Sequence, residues 1–183
     1  MTPRHSLACV TATHRTPVEI AVPALGRMAP GAFGARERRG RLEPMAGSDD
    51  DLFLDEHVRV YRETGGQRGY HWRGTTILLL GTTGRRSGEE RTTPLIHRVE
   101  DGRYIVVASK GGAPDDPAWF KNLSADPAVT VQVLDEVFPA RASVAEGAER
   151  ERLWSLMAEV WPAYEEYQQR TERQIPVVIL ERS

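Results

Sequence analysis

Residues 92–109 read TTPLIHRVEDGRYIVVAS. Two apolar, β-branched runs flank Asp101-Gly102, a dipeptide that is among the strongest local signals for a tight hairpin. The stretch therefore predicts two antiparallel strands, Thr92–Val99 and Arg103–Ser109. Upstream, TTILLLG (Thr75–Gly81) is a short apolar run with β-branching at its start, the pattern of a buried strand. The bend TTGRRSGEERTTP (Thr82–Pro94) joins it to the hairpin. Pro94 has no N–H to give a ladder, so its place is at a sheet edge or a bulge.

Further on, AVTVQVL (Ala128–Leu134) puts Val129, Val131 and Val133 on one face of a half-buried strand. Asp135-Glu136 turns it into VFPARASVAE, and IPVVILE forms the last strand. Helices are expected from Ser48 or Asp49 to about Glu63, stopped by Gly65-Gly66, and from Pro117 to about Ala125 with Asp116 as cap. A third starts near Ala148, with Leu153, Leu156, Met157 and Val160 at helical spacing, and Pro162 breaks it. A short fourth carries Tyr164 and Tyr167. Strands outnumber helices, and most are joined by hairpins. The fold class is mainly β with flanking helices: an antiparallel sheet closed, or nearly closed, into a small barrel. Regular βαβ alternation is missing, which argues against a Rossmann domain.

At 183 residues the chain suits one domain with a tail. Residues 1–44 hold seven arginines against three glutamates, a net +4 within a chain of net −2. Pro and Gly recur there without any period, so this segment is expected to be a disordered Arg/Pro/Gly-rich extension. Two origins fit it: an Arg-rich, acid-poor targeting segment, or a reading frame opened too far upstream of Met45. Residues 45–183 form the domain. A single cysteine, Cys9, rules out an internal disulfide, and five histidines show no ligand spacing, so no metal is expected.

The bend carries the chemistry. Its spacing is neither a Walker loop nor GxGxxG, and no nucleophile elbow surrounds Ser87 or Ser109. Asn122-Leu123-Ser124 matches a glycosylation pattern by chance, since no secretory signal accompanies it. Gly84 and Gly88 permit close backbone approach, while Arg85, Arg86 and Arg91 offer forked, permanently charged donors. Such donors bind phosphate or carboxylate at roughly 1.5–3 kcal/mol per charge-assisted bond. The same residues also describe a solvated hairpin tip neutralised by Glu89 and Glu90. A second element, ASKGGAPDDPAWFKN, brings Lys110, a helix N-terminus, Trp119 and Asn122 together, a set that suits a planar heterocycle with an anionic tail. Core packing is the alternative for Trp119.

Three stretches in order, LLLGTTGRRSGEERTTPL, VVASKGGAPDDPAWFKNL and VWPAYEEYQQRTERQIPVVIL, resemble the deazaflavin-dependent nitroreductase family. The resemblance runs from about Leu52 to Leu180. It implies a split β-barrel related to FMN-binding reductases. It also implies coenzyme F420, an 8-hydroxy-5-deazaflavin, and hydride transfer to quinones or nitroaromatic compounds. By the same resemblance Arg85, Arg86, Ser87, Gly88 and Arg91 hold the phosphate and oligoglutamate tail, and Thr92, Thr93 and Pro94 continue that wall. Ala108, Lys110, Trp119 and Asn122 surround the cofactor. Ser109 faces the acceptor, and Tyr164 and Tyr167 line its pocket. Trp161 and Ile96 stand where a family member carries tyrosines, so the acceptor pocket here is expected to be more apolar.

FMN fits less well than F420, whose tail is polyanionic. A carrier module that binds F420, FMN or haem without turnover is the rival from a different class. Nucleic acid is disfavoured by the acidity of residues 45–183. The expected partner is a small-molecule acceptor, the expected state a monomer or homodimer. The expected location is cytoplasmic, with a weak peripheral membrane contact through the first helix.

Overall fold

The structure, a computed structural model, describes residues 48–183; the expected extension over residues 1–44 lies outside them. Seven strands follow one another as β1 (His71–Trp72), β2 (Thr75–Thr83), β3 (Glu90–Glu100), β4 (Arg103–Val107), β5 (Ala128–Val133), β6 (Glu136–Val144) and β7 (Val177–Arg182). All pairings are antiparallel, in the order β1-β2-β3-β4-β7-β6-β5. β5 also pairs back onto β2, Leu80 opposite Val131, which closes β2 to β7 into a six-stranded barrel. Four helices accompany it: α1 (Leu54–Glu63), α2 (Ala118–Ala125), α3 (Gly147–Val160) and α4 (Ala163–Gln169).

Alternation along each strand sorts side chains into two environments. Leu78 and Leu80 of β2, Val106 of β4, Val129 and Val131 of β5, Phe138 of β6, and Val178 and Leu180 of β7 fill the barrel interior. The opposite faces are covered too. Ile77 and Leu79 lie under Tyr61 of α1, and Ile105, Val107, Val177 and Ile179 lie under Leu153, Trp154 and Met157 of α3. That double coverage is why TTILLLG and VVIL read as unbroken apolar runs. Leu80 is fully buried, and truncating it to Ala would cost about 2–5 kcal/mol.

Four local expectations need correction. The first helix is not continuous from Asp49. A single 3-10 turn, Asp49–Asp51, is capped by the Ser48 hydroxyl, the chain then extends through Leu52 and Phe53, and α1 starts at Leu54. Asp49 and Asp50 are occupied elsewhere: Gly69 N–H and Arg68 donate to the Asp49 carboxylate at 2.9 and 3.0 Å, and Arg73 N–H donates to Asp50. Asp116 does not cap α2. Pro117 holds the cap position, and the Asp116 carboxylate accepts from Arg173 at 2.9 Å. The bend between β2 and β3 is shorter than its composition suggests, because strand pairing continues to Thr83 opposite Glu90. Finally, the turn into β6 pivots on Leu134, whose φ is +55°, one residue before Asp135.

Pro94 sits as expected. β3 pairs with β2 from Glu90 to Ile96 but meets β4 only from His97 onward. The other flank of residues 90–96 carries no strand, and the missing proline N–H costs nothing there. This open flank positions the site.

Candidate functional site

Two cavities lie along the open flank of β3. The first, of about 520 Å³, is lined by the turn from Gly84 to Ser87, by Arg91 to Pro94 of β3, and by Trp119 and Asn122 of α2. The second, of about 270 Å³, is lined mainly by apolar and aromatic side chains, among them Trp72, Ile96, Trp161, Tyr164 and Tyr167, with Ser109 at its wall. Leu54 and Pro94 belong to both linings, so the cavities are two halves of one cleft.

The arginine half is built by a closed turn. Gly84 N–H donates to the Glu89 carbonyl and Gly88 N–H to the Gly84 carbonyl, each at 2.7 Å. Gly88 has φ +71°, a conformation that favours glycine. At Gly84 space is tight instead: a Cβ there would lie 2.7 Å from the rotatable Ser87 Oγ and 3.1 Å from the Glu89 carbonyl oxygen. Asn122, buried on α2, anchors the turn: its Oδ1 accepts from the Arg85 N–H at 3.2 Å and from the Arg85 guanidinium at 3.3 Å. Its amide donates to Thr82 Oγ1 at 3.3 Å.

The cations differ in their commitments. Arg91 meets Glu89 at 2.6 Å. Arg85 and Arg86 pair with no carboxylate among the described residues, and both are exposed. Two guanidiniums without a carboxylate partner therefore stand beside a backbone turn, in a lining that also includes Asp55. Thr92 Oγ1 accepts from Arg62 at 2.8 Å, whereas Thr93 presents its hydroxyl unpartnered. Trp119 answers both readings of it: it belongs to the interior cluster at 6% exposure and also lines the arginine half.

Two expected cofactor neighbours stand outside both linings. Ala108 is fully buried in the barrel core. Lys110 is held by Asp115, with both carboxylate oxygens 3.0 Å from Nζ, and Lys121 meets the same group at 3.1 Å. Lys110 and then Lys121 hold the Asp115 carboxyl down at about 2.

The aromatic half is closed by α4. Tyr164 is buried and packs edge-on against Tyr167 with ring centres 6.2 Å apart. Burial, and secondarily Tyr167, pushes its phenol well above the ordinary range, so it stays neutral and keeps its hydrogen. Gly112, at φ +82°, lets the 109–113 loop pass α4; a Cβ there would lie 2.6 Å from the Tyr167 carbonyl. Trp161 faces Trp72 with centres 5.8 Å apart, and Ile96 lines the same cavity.

Several contributors escaped the sequence reading. Arg173 ties the loop after β4 together, donating to the carbonyls of Ala108, Ser109 and Ala113 and to Asp116 at 2.8–3.1 Å. A lone Arg in a polar stretch gives no signal of this. His57 and Trp72 reach the aromatic half from α1 and β1. The helical spacing of His57, Val60 and Tyr61 marks the inward face of α1, which was the available clue.

Fold and cleft define a class: a closed antiparallel barrel flanked by helices, with a two-part cleft along the open flank of one strand. Comparison with known proteins narrows it. The family model of the F420H(2)-dependent quinone reductases matches residues 53–182. The F420H(2)-dependent quinone reductase Rv1261c of Mycobacterium tuberculosis is 39% identical over 130 residues, 69% of this chain and 87% of the relative. A solved F420-H2 dependent reductase, FDR-A, is 49% identical with TM-score 0.54, over 57% of this chain and 93% of its own. Another solved structure, described as a domain-swapped dimer, is 45% identical with TM-score 0.57, over 68% and 92%. The chain belongs to the F420H(2)-dependent quinone reductase family. It is an oxidoreductase whose cofactor is coenzyme F420, which sets the carrier alternative aside. The name nitroreductase, drawn from the three motifs, is broader than the family matched.

Proposed function

We propose that this chain reduces a quinone at the aromatic half of the cleft while the arginine half holds the anionic tail of F420. One observation carries the reading: a single cleft whose two halves differ in character and meet at Leu54 and Pro94. The residues present fit the cofactor. Arg85 and Arg86 pair with no carboxylate among the described residues, the turn leaves space at Gly88, and Trp119 offers an aromatic face. Arg85, Arg86, Ser87, Gly88 and Arg91 would hold phosphate and carboxylates, and Trp119 with Asn122 would border the ring system. When bound, the reduced deazaflavin supplies a hydride, two electrons with one hydrogen.

The chain's own residues then have three tasks. Trp72, Ile96 and Trp161 exclude water and favour a flat, apolar acceptor. Tyr164 and Tyr167 donate hydrogen bonds to charge developing on the acceptor oxygen. Ser109, with its hydroxyl unpartnered, adds a third donor at the same wall. Nitroaromatic compounds are flat too, and we include them as secondary acceptors.

Fluorescence titration with F420 at low salt is the primary test. Dissociation in the low micromolar range, weakening as salt rises, is expected because the arginines are exposed. Absence of binding would falsify the assignment. Tyr167→Phe should lower turnover of menadione more than it changes F420 affinity; an equal loss of both would move Tyr167 to the cofactor. We also propose a homodimer, as in the domain-swapped relative, to be checked by light scattering. The peripheral membrane contact rests on Phe53 and Leu54, apolar, 53% and 71% exposed, and placed at the cleft; flotation with lipid vesicles tests it.

A further inference from the structure

His57 is 3% exposed, yet it lines the aromatic cavity. Its Nε2 lies 2.7 Å from the Gly69 carbonyl oxygen. A carbonyl only accepts, so Nε2 carries the hydrogen and Nδ1 is the free position. Nδ1 has no partner among the described residues and is not among the sealed polar atoms, so it is the polar atom the ring offers to the cavity.

The surroundings are arranged for that orientation. Gly69 has φ +84°, and a Cβ there would lie 3.0 Å from both Cδ2 and Nε2 of the imidazole. The Gly69 N–H is in turn held by the Asp49 carboxylate at 2.9 Å, the same carboxylate that pairs with Arg68. A carboxylate thus fixes a peptide, and that peptide fixes the ring. Tyr61 on α1 and Trp72 on β1 flank the ring, each with centres 6.4 Å away. The titratable groups facing the cavity from its other walls are Tyr164 and Tyr167 of α4.

We infer that His57 is the proton donor to the acceptor, delivering through Nδ1. The inference rests on the quinone-reduction reading and adds to it the group that completes the reaction. Reducing a quinone to a hydroquinone takes two electrons and two protons. A hydride brings both electrons and one hydrogen, and leaves an anion on the acceptor oxygen. The remaining proton comes from the imidazolium form, in which Nδ1 as well as Nε2 carries hydrogen: the Nδ1–H bond breaks, an O–H bond forms on the acceptor, Nε2 keeps its hydrogen against the Gly69 carbonyl, and the neutral ring takes a proton from solvent before the next turnover. Tyr164 cannot fill this role well, because burial strengthens its hold on its own proton. Imidazole is the side chain that ordinarily changes charge between about pH 5 and 8, which suits repeated transfer. His57 also differs from the tyrosines in being braced by a backbone carbonyl behind it, so a positive charge formed on the ring has a fixed acceptor.

Two measurements test this. In His57→Gln the amide keeps a donor for Gly69 but has no proton to transfer. Menadione turnover should fall on the order of 100-fold, the range of a lost general acid, and the fall of kcat with rising pH should disappear. F420 affinity should change less than twofold. The second is independent of turnover. Uniformly 15N-labelled wild-type protein with oxidised F420, which cannot reduce the quinone, is titrated with menadione. The His57 Nδ1 resonance should shift while Nε2 stays. The Trp161 indole, in the same cavity, reports whether menadione enters. A Trp161 shift with an unmoved Nδ1 overturns the His57 inference alone. No shift at either, despite F420 binding, removes the acceptor site itself. Full turnover in the Gln variant overturns the inference regardless of the spectra.

Discussion

Arg91 ends on Glu89, whereas Arg85 and Arg86 meet no carboxylate among the described residues. The distinction decides what each is worth. Releasing Arg91 for a ligand costs an ion pair, while Arg85 and Arg86 have no carboxylate to leave and Arg85 gives up at most one long bond to Asn122. Replacing Arg85 and Arg86 together by Ala should therefore raise the F420 dissociation constant about 10- to 100-fold, taking roughly 1 kcal/mol per partly wet charged contact. Thermal stability should hold within about 2 °C, since both side chains are exposed, neither pairs with a carboxylate among the described residues, and the Arg85 backbone N–H keeps its bond to Asn122. Arg91→Ala should weaken binding less. Fluorescence titration of the two variants side by side checks the order, and unchanged affinity in the double variant would remove the tail site from this turn. The turn was legible in the sequence because its arginines and glycines are contiguous. Lys110 was legible only as a cation. Its commitment to Asp115 is a matter of loop geometry five residues along, which composition does not encode.

At the level of elements, the open flank of β3 was half visible: Pro94 marks a place with no donor, but not that a cleft lies beyond it. The break before α1 was invisible, because Asp49 and Asp50 suit a helix start equally well and are drawn off by Gly69 and Arg73, distant in sequence. Arg173 was invisible for the same reason. It follows α4, is largely buried, and serves four acceptors between Ala108 and Asp116. Arg173→Met keeps the stem but leaves three carbonyls and a carboxylate without their donor. A loss of about 2–4 kcal/mol in unfolding free energy is expected. Hydrogen exchange should quicken at the amides of 109–113, including Gly112 and Ala113, whose bonds close that turn. KM for menadione should rise, because Ser109 and Gly111 line the aromatic cavity proposed for the acceptor, while F420 affinity stays nearly constant. Unaltered exchange in this loop would show that Gly112 and α4 hold it without the arginine.

Closure of the barrel is a property of the whole molecule. Hairpins predict neighbours in sequence, so β3 with β4 and β5 with β6 were foreseeable, but the pairing of β2 with β5 depends on how the full sheet twists round. His97 senses that closure. It lies on β3 opposite Val106, 3% exposed, with the rings of Tyr70 and Tyr104 centred 6.1 and 5.8 Å away and Nδ1 unpartnered. Burial lowers its pKa from the ordinary 6.5 to about 4, opposed in part by a hydrogen bond to the Thr76 backbone. In the folded barrel the imidazole is therefore neutral at pH 5, while in the unfolded chain it is charged. Protons bind the unfolded state more, so the stability tied to His97 is intact above about pH 6.5 and is lost as pH falls toward 4, about 3 kcal/mol in all. Asp115, held down at about 2, loses its contribution below that window and does not confuse the measurement at pH 5. Urea unfolding of wild type at pH 7.5 and pH 5 should differ by about 2 kcal/mol more than it does in His97→Phe, which keeps the ring and removes the titration. If both proteins lose the same stability between those pH values, the imidazole is not held neutral and the barrel admits water at that strand.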